Sequence, residues 1–181
     1  MIKALSRTLI AIAVFATCSA VACPPPPPPP PQDVGESDET YAARAAAHQA
    51  GLEAQHQTWL HERQVRLWDE ADSVFLARIE RMRPMELYAW GDVQRVTLRP
   101  LRGSAPLKGR RYANSFNLAY QEATSCGPIP AFEAITGHVG DTYVVFVQGG
   151  RPSQRTVQQT IAPANITDER IRAALAGATA P

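Results

Sequence analysis

Pro24 to Pro31 is an unbroken run of eight prolines, and no residue in it can donate a backbone hydrogen bond to a helix or a sheet. The run is therefore held near polyproline II, at about 3.1 Å per residue, and reads as a stiff spacer of roughly 25 Å. Any packed core has to be assembled from the residues on its carboxyl side.

The segment ahead of the prolines has the layout of a secretory signal peptide: Lys3 and Arg7, an apolar stretch from Leu9 to Ala16, then Ala20 and Ala22 in A-x-A spacing. The stretch is shorter than the roughly 20 apolar residues a membrane span needs, so residues 1–22 are expected to be removed and the chain exported to the periplasm or beyond the cell. The mature chain then starts at Cys23, and with Cys18 gone only Cys23 and Cys126 remain. Export permits a disulfide. Three fates stay open for Cys23 on the residues alone: pairing with Cys126, lipidation as a membrane anchor, or a free thiol. The tripeptide Ala20-Val21-Ala22 lacks the Leu that a lipobox normally carries at its first position.

Charge divides the mature chain. Cys23 to Asp72 holds nine acids and three bases, whereas Arg78 to Arg155 holds eleven bases. Removing Lys3 and Arg7 leaves 16 bases against 17 acids, close to neutral in total, which does not suggest a nucleic-acid binder. A solvated surface, or an acidic segment folded back on the basic one, accounts for this split more readily than the alternative, a basic face awaiting an acidic partner.

The segment Glu36 to Asp72 is Ala-rich, has Ser37 or Asp38 as N-cap and early acids, and contains no proline, so a helix is expected over residues 39–70. Leu52, Trp59, Leu60, Leu67 and Trp68 form a stripe that should dock on something. Beyond it the period changes. "DSVFLARIERM" and "DVQRVTLRPLRG" read as strands, the second alternating Val93, Arg95, Thr97 and Arg99 against Gln94, Val96 and Leu98. "RRYANSFNLAY", "DTYVVFVQGG" and "RTVQQTIA" are three further strands separated by glycine turns. A short helix capped by Thr167 and stopped by Gly177 should close the chain. The expected organisation is a leader over 1–22, a Pro-rich spacer over 23–38, a helix over 39–70, a five-stranded barrel over 71–165 and a helical tail over 166–181.

Catalytic and metal signatures fail residue by residue. "HERQV" at His61 begins like a zincin motif, but residue 65 is Val where the second imidazole belongs. His48, His56 and His61 are eight and five residues apart, so only His48 and His56 share a rough helix face, and no third ligand joins those two. Cys126 and His138 are a conceivable nucleophile and base, yet no orienting acid is indicated, and "GSAPLKG" lacks phosphate-loop spacing. The chain is read as a non-enzyme with no cofactor and no metal site. The one set of residues that suggests binding is basic: Arg95, Arg99, Arg102, Lys108, Arg110 and Arg111, on and after the long strand.

The segments "ADSVFLARIERM", "LRPLRGSAPLKG", "TSCGP" and "GHVGDTYVVFVQGG" resemble, in that order, exported bacterial domains related to the tissue inhibitors of metalloproteinases, which have the netrin-like version of the OB fold. The matching positions are Cys23, Ala71 to Arg78, Leu107 to Gly109, Cys126-Gly127 and Gly140 to Phe146. The resemblance implies a mainly β protein, a five-stranded OB-like barrel with a long N-terminal and a short C-terminal helix. It also implies a disulfide between Cys23 and Cys126. In the inhibitors the amino group and carbonyl of the first Cys chelate the protease zinc; this chain departs from them with Pro24 and Pro25 after Cys23 and with a long helix before the barrel. The implied function is a binding module for a protein partner in the envelope or outside the cell, of protease-inhibitor type. The alternative is a tethered envelope lipoprotein with a structural or glycan-binding role. OB folds also present such faces to oligonucleotides, which export argues against.

Overall fold

The computed structural model describes residues 28–85, 93–121, 123–124, 127–128, 135 and 137–178. Helix α1 runs Asp38–Glu70, 33 residues or about 50 Å. Its start is encoded locally: the Ser37 hydroxyl accepts the Thr40 N–H at 3.2 Å, and Asp38 and Glu39 sit in the first turn, at the positive end of the helix. Just before it, Arg44 folds the chain back, donating to the Pro31 carbonyl at 2.8 Å and to Glu36 at 2.6 Å. The far end has no basic residue of its own in the last turn. Lys108 supplies one from further along the chain, its Nζ donating to the Trp68 carbonyl at 2.5 Å and standing over the Trp68 ring.

Five antiparallel strands form one curled sheet: β1 (Ser73–Met85), β2 (Val93–Pro100), β3 (Phe116–Gln121), β6 (Thr142–Val147) and β7 (Val157–Ile161), in the order β3-β2-β1-β6-β7. Between β3 and β6 lies a short pair, β4 (Ala123–Thr124) with β5 (Gly127–Pro128). Strand β1 is the hub, paired with β2 through its second half and with β6 through its first. The sheet curls enough for Phe75, Val96, Leu118, Tyr143 and Val145, from four strands, to share one buried cluster. The two edge strands face each other without a ladder. The Gln154 side chain spans the gap, accepting the β3 N–H of Ala119 at 2.6 Å, so the sheet is a half-barrel.

A second buried cluster lies on the other side of β1 and β6, where Val74, Leu76, Val144 and Phe146 meet Ile166 and Ile171 together with Leu67 and Trp68 of α1. Strand β6 is consequently buried on both faces from Tyr143 to Val147, which is why it reads as a continuous apolar run. The cover is the last third of α1 and helix α2 (Glu169–Ala178). Of the stripe expected to dock, only its end does: Trp59 is 39% exposed and stacks with His56 under Arg63.

The two helices are locked by a polar cluster. Arg170 bridges Asp69 at 2.6 Å and Asp168 at 3.1 Å. Thr167 does not cap α2 as the sequence suggests; Asp168 does, accepting the N–H groups of Arg170 at 2.8 Å and Ile171 at 3.2 Å. Gly177 lies within α2, one residue short of its end.

Candidate functional site

The outer face of β1 and β2, opposite the first cluster, is arginine-lined. Register places Arg83 directly opposite Arg95, Arg81 opposite Thr97, and Arg78 opposite Arg99. A bulge produces this arrangement. The pairing slips between Ile79 and Arg81, inserting Glu80 as an extra residue and reversing the alternation. Ile79 and Met82 both face the core, and Arg81 and Arg83 are turned outward, where both are exposed.

Directly opposed residues on one sheet face bring their Cβ atoms within about 5 Å, and like charges there are destabilising. Two such arginine pairs therefore work against the sheet they sit on. Glu80 offsets one of them, meeting Arg99 Nε at 2.5 Å. The Ser115 hydroxyl completes that group, donating to Glu80 at 2.9 Å and accepting from Arg99 at 3.1 Å. Among the described residues no ion pair reaches Arg78, Arg81, Arg83, Arg95 or Arg102. At the end of this face Arg78, Glu80, Arg99 and Arg102 border a depression of about 390 Å³.

The six basic residues expected from the sequence thus separate. Arg95, Arg99 and Arg102 belong to the outer face. Lys108 is spent capping α1. Arg110 and Arg111 border a different groove of about 510 Å³, whose opposite wall includes Gly150 and Arg151. The walls are tied together: the Tyr112 hydroxyl donates to the Gly150 carbonyl at 2.6 Å, and the Tyr112 ring packs on Phe75 at 5.2 Å. Sequence reasoning missed Arg78, Arg81, Arg83 and Arg151. For the first three the signal was present as alternating charge in "ARIERMR", hidden by the bulge.

Helix α1 docks on the same side of β1 as the arginines but over its first half, where Val74 and Leu76 lie, through Gln64, Leu67, Trp68, Asp69 and Lys108; among the described residues no hydrogen bond or ion pair joins it to Arg78, Arg81, Arg83, Arg95 or Arg99. Of the histidines, His61 Nδ1 lies 3.4 Å from the Thr167 hydroxyl, and His138 sits in the turn before β6, its N–H held by Asp141 at 2.8 Å. Among the described residues there is no cluster of three His, Cys, Asp or Glu able to hold a metal ion, and no helix long and apolar enough to cross a membrane. Residues 1–22, expected to be a leader, and Cys23 and Cys126 lie outside the described residues, so neither the expected disulfide nor the expected anchor acquires a geometry. No family model, curated protein or solved structure matches the chain.

Proposed function

We propose that the chain is an exported binding module without catalytic chemistry of its own, and that it holds an acidic partner on the outer arginine face of an OB-type half-barrel. The strand order β3-β2-β1-β6-β7, with β3 and β7 brought to a common seam, supports the OB-type reading. The binding reading is carried by one observation: Arg83 opposite Arg95 and Arg78 opposite Arg99. A face selected for stability alone would place opposite charges at those positions. Each guanidinium offers a planar fork to a carboxylate, sulfate or phosphate.

An inhibitor-like form of this module depends on Cys23. It is tested by adding the mature chain, with its native amino terminus, to metalloproteases. Membrane attachment enters the reading only if Cys23 carries lipid.

Arg95→Glu tests the arginine face, because stability and binding should move in opposite directions. The new carboxylate faces Arg83, so the stability to denaturant should rise by about 0.2–1 kcal/mol. Affinity for heparin, used as a generic polyanion, should fall roughly tenfold or more, with a shallower salt dependence. Unchanged heparin affinity in a folded Arg95→Glu protein would refute the proposal.

A further inference from the structure

The arginine face and the Arg110–Arg111–Arg151 groove adjoin, and Ser115 is the point of contact. Its hydroxyl belongs to the Glu80–Arg99 group of the outer face, while the residue itself lines the groove. From Arg83 and Arg95, along Arg81, Arg78 and Arg99, past Ser115 to Arg110, Arg111 and Arg151, exposed or half-exposed guanidinium groups follow one another round the end of the sheet. Resting on the acidic-partner reading above, we infer that these form a single elongated track for a linear acidic glycan, whose successive carboxylate or sulfate groups are taken in turn by successive arginines.

Three observations choose this ligand. The track bends from the outer sheet face into a groove bordered by the β6–β7 turn, so its charges do not lie in one plane as a membrane surface would require. The two aromatic rings at the groove are committed to the core: Phe116 is 7% exposed, and Tyr112 packs on Phe75. They provide no platform of the kind on which single-stranded nucleic acids stack their bases. An interface with a folded protein is built round an apolar centre depleted of charge, whereas here charge occupies the centre.

The groove is also preformed. Tyr112 ties its two walls, the Arg110 N–H is held by the Ser73 hydroxyl at 3.0 Å, and the neighbouring carboxylate, Asp72, already accepts the Gly149 N–H at 2.7 Å. Among the described residues no ion pair reaches Arg110, Arg111 or Arg151.

The test is length dependence. Calorimetric titration of the full mature chain compares a tetrasaccharide with a dodecasaccharide of heparin, and of polygalacturonate as the carboxylate-only arm. The comparison is repeated with the triple variant Arg110→Ala, Arg111→Ala, Arg151→Ala, whose exposed positions should leave the melting temperature unchanged. For the wild type the longer chain should bind roughly tenfold or more tighter, since linked contacts act at high effective concentration. The triple variant should lose most of that gain while its tetrasaccharide affinity stays within about threefold. A triple variant that keeps the full gain would remove the groove from the track and leave the outer face standing. If neither oligosaccharide binds the wild type, the acidic-partner reading fails with it. Single-stranded DNA or polyglutamate of equal charge binding as tightly as the dodecasaccharide would overturn the assignment to a glycan.

Discussion

The side-chain oxygen of Gln64, in α1, accepts the backbone N–H of Thr167 at 2.7 Å, across 103 residues of sequence. The same oxygen takes the Asp168 N–H at 3.2 Å, and the amide nitrogen donates to the Asn165 carbonyl at 2.8 Å. One buried amide thereby satisfies the backbone at the entry to α2 and fastens both helices to the second cluster.

Gln64→Leu keeps the volume and removes every one of these bonds. Each stranded buried backbone group costs about 1–3 kcal/mol, so the variant should lose roughly 2–4 kcal/mol in urea denaturation. A loss below about 0.5 kcal/mol, within the range of ordinary surface substitutions, would show that water replaces the amide at no cost and that the two helices are docked by apolar contact alone.

Asp168 gives the same region a pH dependence. Burial of this residue, 2% exposed, pushes its carboxyl up. Hydrogen bonds from the Arg170 side chain and from the N–H groups of Ile171 and Arg170 outweigh that, and the net shift is downward. A carboxyl that titrates lower folded than unfolded contributes stability above its unfolded value, about 3.9, and loses it as the pH falls through the folded value. Thermal midpoints should therefore drop more steeply below about pH 4 in the wild type than in Asp168→Asn. Parallel curves would disprove the assignment.

The turn after Leu107 should tolerate no side chain. Gly109 has φ of +71°, and a Cβ built there would stand 1.9 Å from the Asp72 carbonyl oxygen. The close approach exists because the preceding residues ladder onto β1, with Val74 N–H donating to the Lys108 carbonyl at 2.9 Å. Gly109→Ala is expected to cost about 2–4 kcal/mol, whereas Gly103→Ala, at a φ of +84° with nothing within 4 Å, should cost nearer to about 1 kcal/mol. Equal losses at the two sites would refute the argument from close contact.

Lys108→Met separates a structural cation from the binding ones. Removing the ammonium from the carboxyl end of α1 should lower stability by about 0.3–1 kcal/mol, with heparin affinity unchanged. A loss of affinity matching that of Arg95→Glu would return Lys108 to the binding face.

The boundaries of α1 were legible because their causes are local: Ser37 and the acids after it mark its start within a residue, and the change of period at Ala71 marks its end. The strands were legible where one face is wet. In β2, Val96 and Leu98 are buried while Arg95 is exposed, as strict alternation requires. Strand β1, buried on both faces at its start, keeps the two-residue alternation that turns Phe75, Ala77 and Ile79 to the first cluster only as far as Ile79. Continued to its end, the rule would put Arg81 and Arg83 among core residues, and the arginine face would be cut in half. No single-residue preference announces an inserted Glu80; the bulge is visible only once β2 supplies a register.

Long-range polar assignments failed for a related reason. Thr167 and Asp168 are both competent caps in the sequence, and the choice between them is made by Gln64, about a hundred residues away, which claims Thr167. Lys108 counts as a basic residue of the face until the end of α1 is seen to need it.

Lys3, in the segment read from the sequence as a leader, and Lys108 are the lysines of the chain, and its other permanent cations are arginines; the Lys108 amine is held against the end of α1. Acetylation, which erases cationic charge by modifying lysine amines, has no target on the track. Amine-directed coupling, for the same reason, can fix this protein to a surface or attach a label through Lys108 or the amino terminus while leaving every guanidinium of the track open.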